Sequence, residues 1–340
     1  MLKIVTMQDV ADYAEVSKTT VSRVMNNDPT VAPDLRARVL KAIKHLGYQP
    51  NRAARRLRAS SSDVIGLMIS DLQNPFFISV VEGIEEMAYK NQMSILLCNT
   101  AEDLERQQMY LNVMQAEQVA GLILVPCALS DAAMLNSLSQ SSLPMVVLDR
   151  SVEGLDTDMV QVDNTRGAYS AVKHLIDLGH QRIGMVVGSP DLSTARERLR
   201  GYLDALNAAG IPIDETLIKT GNSQKEGGYH LARTLIQAEY PPTAMFVGNS
   251  LMTLGALQAL RELKIRIPED VALVGFDDMP WSGELCPPLT TVSQPTVEFG
   301  REAVHLLLRR LTEPKALSRT VTLQTRLVIR ESCGAALKQK

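Results

Sequence analysis

Cysteine is scarce and scattered in this sequence, and that shortage excludes two kinds of site. The 340 residues contain four cysteines, which lie far apart and form no CxxC pair: Cys98, Cys127, Cys286 and Cys333. Structural metal sites and disulfide frameworks use closely and regularly spaced cysteines. We therefore predict buried free thiols in a reducing compartment, with no bound metal.

Long apolar stretches are also absent. No run approaches the ~20 residues of a membrane-spanning helix. Acidic residues occur near the N-terminus, where a signal peptide has an apolar segment. Hydrophobic residues make up 45% and charged residues 21% of the chain, which is the balance of a globular protein. The length exceeds one compact core, so we expect two or three domains in a cytoplasmic protein.

The short motifs of common enzyme classes are missing as well. No G-x-G-x-x-G follows a candidate strand, and neither a P-loop nor a G-x-S-x-G elbow occurs. The five histidines form no cluster with the spacing of metal ligands. We predict that the protein is not an enzyme and binds no cofactor.

What the chain does contain is a marked charge asymmetry. Residues 1–62 carry eleven Lys and Arg against five Asp and Glu, a net charge of +6, so the rest carries −9 of the total of −3. A basic head on an acidic body indicates a polyanion-binding unit joined to a second unit. A solvated basic surface gives the same balance, so charge alone leaves both interpretations open.

Three short amphipathic helices are predicted in the basic head. Thr6 is placed to cap a first helix over residues 7–14, and Ser17 to cap a second over 18–26. A third helix runs from about 33 to 46 and ends at Gly47. This pattern is typical of a helix-turn-helix, whose second helix lies in the major groove of DNA. The apolar residues expected inside are Val10, Ala11, Ala14, Val21, Val24, Met25, Val39, Leu40, Ile43 and Leu46.

Polar residues project from the second helix on the face opposite its apolar one. Lys18 and Arg23 can donate to guanine, and the methyl group of Thr19 suits the methyl group of thymine. Ser22 lies on the same face. These residues are either base contacts or ordinary exposed side chains.

A basic segment follows the three helices. Asn51 is placed to cap a short helix, RAARRL, which has too little apolar surface to fold alone. We expect this segment to become ordered on DNA phosphates, which would compensate its loss of conformational entropy.

From residue 63 onward, candidate strands alternate with amphipathic helices. Apolar strands that alternate with helices form parallel, doubly wound sheets. There are too many such units for one compact sheet, so we predict two α/β lobes with a ligand in the cleft beyond the carboxyl ends of the strands. The candidate strands are residues 64–70, 93–99, 120–126, 144–149, 182–188, 244–248 and 271–276.

The basic head resembles that of the lactose repressor family (LacI/GalR). The segments that carry the resemblance are VTMQDVADYAEVSKTTVSRVMNN and GYQPNRAARRL. The resemblance implies a DNA-binding headpiece over residues 1–50, a hinge helix and linker over 51–62, and an effector-binding and dimerisation domain over 63–340. It also implies that Leu57 enters the minor groove as a wedge. The DNA-binding residues predicted in this way are Thr6, Ser17, Lys18, Thr19, Thr20, Ser22, Arg23, Asn26, Asn51, Arg52, Ala54, Arg55 and Leu57.

The resemblance continues through nearly all of the remaining chain. The segments DLQNPFF, VDN, LGHQRIG, ARERLRGY, VGFDD and PPLTTVSQP resemble the family's two-lobed body, which is related in fold to periplasmic sugar-binding proteins. Trp281 either stacks on a sugar ring or anchors a loop. The effector-binding residues implied are Phe76, Phe77, Asp149, Arg150, Arg198, Ser223, Asn249, Asp277 and Trp281.

One departure from the family pattern bears on the effector. Many sugar-responsive relatives have Asn-Asp where this chain has Asn249-Ser250. Without this carboxylate, the positive charges of Arg150, Arg198 and Lys225 are less well compensated by negative charge. We therefore expect a sugar acid or a sugar phosphate as readily as a neutral sugar.

Together these features predict a sequence-specific DNA-binding transcriptional regulator, a repressor of carbohydrate-metabolism genes controlled by a sugar-like effector. The resemblance implies a homodimer on a pseudo-palindromic operator. No heptad segment follows LVIRESCG, so we expect no tetramer. We expect the effector to release the repressor from DNA. The alternatives are a corepressor-dependent, purine-type repressor and a solute-binding protein without a regulatory role.

Overall fold

The computed structural model of the protein describes residues 5–25, 28–48, 62–140 and 143–335. The chain divides into two compact units, residues 1–62 and 63–340. The predicted boundary between residues 50 and 51 lies outside the described residues.

The described part of the first unit consists of three helices, and local sequence explains where they begin and end. They are α1 (Met7–Ala14), α2 (Lys18–Met25) and α3 (Pro33–Leu46). Thr6 and Asp9 form a reciprocal capping box at α1, and the Ser17 hydroxyl accepts a 3.1 Å hydrogen bond from the Thr20 N–H at α2. Helix α3 begins with a proline and ends at Gly47, whose φ of 62° suits glycine. The predicted caps at Thr6, Ser17 and Gly47 are confirmed.

A small apolar core joins the three helices, and one predicted member is wrong. Val10, Val21 and Val39 are fully buried, as predicted. Leu40, by contrast, is 53% exposed, and Ala42 is buried in its place. Successive helical residues are about 100° apart around the axis, so a residue next to Val39 turns away from the core that Val39 enters.

The second unit consists of two lobes, each built on a sheet of six strands within the described residues. The first lobe contains β1 (Val64–Ile69), β2 (Ser94–Asn99), β3 (Gly121–Leu124), β4 (Met145–Leu148), β5 (Asp158–Val162) and β11 (Thr320–Leu323). The second contains β6 (Ile183–Val187), β7 (Ile218–Thr220), β8 (Ala244–Val247), β9 (Ala272–Phe276), β10 (Thr290–Ser293) and β12 (Arg326–Val328). The strand orders are β11-β5-β4-β3-β1-β2 and β12-β10-β9-β8-β6-β7. All neighbouring strands are parallel except β10 and β12, which are antiparallel.

Helices cover both faces of each sheet, which confirms the predicted doubly wound α/β fold. They are α4 (Pro75–Lys90), α5 (Leu104–Ala116), α6 (Ala132–Gln140), α7 (Asn164–Asp177), α8 (Ser193–Ala208), α9 (Lys225–Ile236), α10 (Ser250–Glu262) and α11 (Thr296–Thr312). In β1, Ile65 and Leu67 pack in the core on one face of the sheet, and Met68 packs in the core on the other. A strand buried on both faces reads as one continuous apolar run, which is why the sequence predicts it well.

Five strands were not predicted from the sequence. Strands β5, β7, β10, β11 and β12 have three to five residues each and include polar or partly exposed positions. Three of them lie at sheet edges, where one side makes no strand pairing. Without a long apolar run, such strands have no strong signature in sequence.

The chain passes between the two lobes three times, and these crossings form a hinge. They lie between β5 and α7, between β10 and α11, and between β11 and β12. Short connections of this kind absorb backbone rotation when two lobes close on a ligand. The cleft between the lobes is therefore the natural place for a ligand.

The four cysteines are free thiols. Cys127 and Cys333 are buried, as predicted, and Cys98 is partly buried. Cys286 is exposed in the loop before β10, so the prediction of a buried thiol is wrong there.

Candidate functional site

The helix-turn-helix presents the predicted base-contacting residues on one face of α2. Lys18, Thr19 and Arg23 are exposed, and Ser22 is partly exposed. Arg23 lies 3.9 Å from Asp28 and retains 61% of its side-chain exposure, so its guanidinium is accessible to DNA. This face offers two cations and two hydroxyls on a helix that is packed from behind by Val21 and Val24.

The other predicted DNA-binding residues either cap helices or lie outside the described part of the chain. Thr6, Ser17 and Thr20 use their side chains in helix capping, where the Ser17 and Thr20 hydroxyls are 3.0 Å apart. Six predicted residues lie outside the described part of the chain: Asn26, Asn51, Arg52, Ala54, Arg55 and Leu57.

A cavity of about 190 Å³ lies between the two lobes at the carboxyl ends of the strands. Eight of the nine predicted effector-binding residues line it: Phe76, Phe77, Asp149, Arg150, Arg198, Ser223, Asn249 and Asp277. Trp281 does not. It is partly exposed at the start of a 3-10 turn (Ser282–Glu284), and the neighbouring Ser282 is the buried anchor of that loop, accepting a 3.0 Å hydrogen bond from the Met279 N–H.

Two carboxyl groups face the cavity from equivalent positions in the two lobes. Asp149 follows β4 and Asp277 follows β9, and both have positive φ, 71° and 76°. Non-glycine residues with this backbone conformation are uncommon and concentrate at functional sites. Burial raises the pKa of Asp149 to about 6, and the nearby Arg150 and Arg198 oppose that rise. One oxygen of Asp149, Oδ1, is buried without a hydrogen-bond partner among the described residues.

Arg198 reaches the cavity from α8 and is held on three sides. Its Nε donates a 2.8 Å hydrogen bond to Asn164 Oδ1, and its Nη1 donates to the carbonyl of Gly248. The guanidinium lies 3.8 Å from the centre of the Phe276 ring. Burial lowers the pKa of Arg198. Its Nη2 makes no hydrogen bond to a described residue, which leaves a fixed donor for a ligand oxygen.

Asn249 has a structural task in addition to its place on the cavity wall. Its Oδ1 accepts a 2.8 Å hydrogen bond from the Met252 N–H and so caps α10, while its Nδ2 donates to the carbonyl of Ser223 at 2.9 Å. One N–H and one lone pair remain for a ligand. Asp277 accepts from the Ser250 N–H at 3.2 Å and from the Gln294 amide.

Several residues of the cavity wall were not predicted from the sequence. Among them are Asn74, Glu102 and Gln294. Asn74 and Gln294 fall within two of the segments that carry the family resemblance, which is a signal that could have found them. Glu102 stands in a loop after β2 with no motif around it.

Hydrogen bonds cross the cleft and hold the two lobes together around the cavity. Gln224 Nε2 donates to Asp71 Oδ2 at 3.2 Å, and the Ser250 hydroxyl donates to Asn74 Oδ1 at 3.2 Å. The Ser151 N–H donates to Ser193 Oγ at 3.0 Å. Since each pair joins one lobe to the other, opening the cleft would break all three.

The described residues offer no metal site and no membrane span. No group of three His, Cys, Asp or Glu within them is arranged to hold a metal ion. Within the same ranges, no helix is long and apolar enough to cross a membrane.

The fold and the cleft define a class of protein: a helix-turn-helix unit followed by a two-lobed, small-molecule-binding unit. Comparison with known proteins supports both halves. Residues 6–51 match the bacterial regulatory proteins of the lacI family, and residues 172–333 match the periplasmic binding protein-like domain.

Whole-chain relatives are similar along nearly their full length. The HTH-type transcriptional repressor PurR of Photobacterium profundum is 36% identical, over 96% of this chain and 98% of that protein. The ribose operon repressor of Haemophilus influenzae is also 36% identical, with the same coverage. Among solved structures, the Lac repressor dimer bound to operator and the anti-inducer ONPF has a TM-score of 0.87, with 30% identity over 97% of this chain and 99% of that one.

These matches decide the identity of the chain at the level of its family. The protein belongs to the lacI family of bacterial regulatory proteins and is a DNA-binding transcriptional repressor. The family predicted from the sequence is thereby confirmed. The relatives named above are transcriptional regulators rather than enzymes.

Proposed function

We propose that this repressor is controlled by a neutral sugar of about the size of one monosaccharide, bound in the cleft between the lobes. The observation that carries the proposal is the wall of the cavity, where Asp149 and Asp277 face each other across the lobes and Arg198 stands beside them. Carboxylates accept hydrogen bonds from vicinal hydroxyls, and a guanidinium donates to a ring or hydroxyl oxygen.

The charge of the wall favours a neutral ligand over an anionic one. Four carboxyl groups and two guanidinium groups line the cavity: Asp71, Glu102, Asp149, Asp277, Arg150 and Arg198. Arg150 already pairs with Glu102 at 2.6 Å, and Arg198 lies in the field of Asp149 and Asp277. The expectation that these arginines lack compensation, drawn from Asn249-Ser250, is therefore wrong. Lys225, invoked with them, does not line the cavity.

The cavity has room for at least one sugar ring. Its volume is about 190 Å³, whereas one buried water needs only about 10–15 Å³ on the same measure. A purine is the main alternative, since several relatives are named PurR. A purine ring favours flat apolar faces, which Phe76 and Phe77 offer on the cavity wall, whereas the face of Phe276 is already covered by Arg198. The ribose operon repressor relative favours the sugar.

The proposed control works through the hinge. We infer a homodimer that binds a pseudo-palindromic operator, with each α2 in a major groove. Binding of the sugar changes the closure of the cleft, and the lobe movement is passed to the DNA-binding units. A coupling of about 1–3 kcal/mol would change operator affinity by roughly 5- to 150-fold. We propose release by the sugar, and repression of carbohydrate-metabolism genes.

The effector assignment predicts selective thermal stabilisation. We expect the melting temperature of the full chain to rise with one or more neutral monosaccharides from a panel of pentoses and hexoses, because a ligand that binds only the folded state stabilises it by mass action. The panel should include purine bases, sugar acids and sugar phosphates. The same sugar should lower the affinity for an operator selected from random duplex DNA. If only a purine stabilised the protein, the effector would be a purine corepressor and the sugar proposal would be wrong.

The DNA-binding assignment predicts that Arg23→Ala lowers operator affinity by about 5- to 150-fold, because a bidentate arginine–guanine contact contributes roughly 1–3 kcal/mol. If Arg23 reads a base, affinity for random duplex should change far less, which titrations on both DNAs would measure. Lys44→Ala in the last turn of α3 is the matched control, since it also removes one exposed positive charge. Equal losses on both DNAs would make Arg23 a phosphate contact.

A further inference from the structure

We infer that Glu102 determines effector specificity: it occupies the Arg150 guanidinium as a built-in anion and so excludes sugar phosphates and sugar acids from the cleft. The inference rests on the proposed sugar effector and narrows it to the neutral class. It concerns a residue outside the segments that carry the family resemblance.

The hydrogen bonds of Arg150 carry the argument. Nη1 donates to Glu102 Oε2 at 2.9 Å and to the Pro126 carbonyl at 3.1 Å. Nη2 lies 2.6 Å from Glu102 Oε1 and donates to Ser70 Oγ at 3.2 Å. Three of the four terminal N–H groups of Arg150 therefore make hydrogen bonds within the protein, and Nη2 also forms the ion pair with Glu102. Nε lies 3.5 Å from Asp149 Oδ2 and makes no hydrogen bond to a described residue.

The carboxylate of Glu102 thus stands where the anionic group of a ligand would otherwise bind. A carboxylate and a phosphate use the same paired geometry on a guanidinium. An incoming phosphate would have to displace Glu102, and it would then meet Glu102 together with Asp149 in a narrow site. A neutral sugar faces no such repulsion.

A tight turn positions Glu102. Ala101 and Glu102 both have left-handed backbone conformations, with φ of 51° and 59°, one residue beyond the end of β2. Two consecutive residues of this kind in L-amino acids are strained, and such strain is retained where surrounding structure holds it. The turn places the Glu102 side chain on the cavity wall, with 30% of it exposed, beside an Arg150 side chain that is 10% exposed.

The test is a comparison of ligand classes in Glu102→Gln. The variant keeps the shape of the side chain, removes its charge and frees at least one terminal nitrogen of Arg150. We expect the monophosphate ester of the stabilising monosaccharide to bind the variant at least about tenfold more tightly than the wild type, measured by calorimetry on the full chain. The ratio of the two affinities, phosphate ester over neutral sugar, should therefore rise at least about tenfold in the variant. If Glu102 had a purely structural role, the substitution would lower the affinity for both ligands by the same factor and leave the ratio of the two affinities unchanged.

Two controls isolate the cause. Glu105→Gln, on the exposed first turn of α5, makes the same charge change away from the cavity wall and should leave the ratio unchanged. The double variant Glu102→Gln/Arg150→Gln should lose the gained phosphate affinity, because the released guanidinium is gone.

The wild type provides a readout that does not depend on any variant folding. Its affinity for the phosphate ester should be at least about 100-fold below that for the neutral sugar. Comparable affinities, or an unchanged ratio in a folded Glu102→Gln variant, would overturn the inference while leaving the sugar effector in place. A wild type that binds no neutral sugar overturns the proposed effector, and with it this inference.

Discussion

Replacing Arg198 by alanine is expected to abolish the response of the repressor to its effector while operator binding survives. Nη2 of Arg198 is a donor held rigidly at the cavity, because Asn164, Gly248 and the Phe276 ring fix the rest of the guanidinium. Loss of a hydrogen bond from a charged donor costs about 1.5–3 kcal/mol, or roughly 10- to 150-fold in effector affinity. The first unit, which carries α2, contains none of these contacts.

The same substitution should also lower the melting temperature. Arg198 compensates the buried carboxyl groups of Asp149 and Asp277, and removing one partner of a buried charge group leaves the other uncompensated. Asp149 would then favour its protonated form even more strongly, so the loss should be larger at neutral than at mildly acidic pH.

Arg200→Ala is the matched control for Arg198. It lies on the same helix, its side chain is 77% exposed, and its ion-pair partner is Asp204. Operator titrations with and without the stabilising sugar, on both variants and the wild type, measure the response directly. If Arg198→Ala still released DNA at the wild-type sugar concentration, the cleft would not be the control site.

Gly300→Ala is expected to destabilise the first lobe by about 3 kcal/mol, because the new methyl group would overlap with atoms of the neighbouring helix. Gly300 in α11 packs on α4, where a Cβ atom at this position would lie 2.2 Å from the Val80 carbonyl oxygen. In the same way, a Cβ atom at Gly83 of α4 would lie 2.0 Å from the carbonyl oxygen of Val297 in α11. Both obstacles are backbone atoms, so relief requires the two helices to separate, with loss of the packing around Phe299.

Urea unfolding of the full chain would measure this change, with His305→Ala as the control on an exposed face of the same helix. The control should leave the midpoint nearly unchanged. An unaltered midpoint in Gly300→Ala would mean that the α4–α11 contact is looser than the structure describes.

Local signals in the sequence predicted the helix-turn-helix and seven of the twelve strands that the described residues form. Thr6, Ser17 and Gly47 mark helix ends through hydrogen bonds within a few residues, so their roles can be predicted without any tertiary contact. The seven predicted strands are continuous apolar runs, and all seven are present as β1, β2, β3, β4, β6, β8 and β9. Leu40 was predicted to be buried but is exposed. The helical periodicity of apolar residues shows which side of a helix faces the core, but it does not show how wide the buried face is.

Local patterns in the sequence predicted only some of the residues that line the cavity. Parallel strands bring their carboxyl ends to one edge, so residues that follow strands, such as Asp149 and Asp277, can be expected to meet. The family resemblance added Arg198, which enters from a helix. Trp281 follows β9 closely in sequence, yet the chain turns away and leaves it off the cavity wall.

What only the tertiary structure decided is the electrostatic character of the site. The sequence shows that Arg150 and Arg198 are present, and from Asn249-Ser250 it suggested that they lack compensation. The structure brings Glu102 to Arg150 across 48 residues of chain and places Phe276 under Arg198. Charge balance in a buried site depends on distances of a few ångströms between residues far apart in sequence, and no local pattern of residues records those distances.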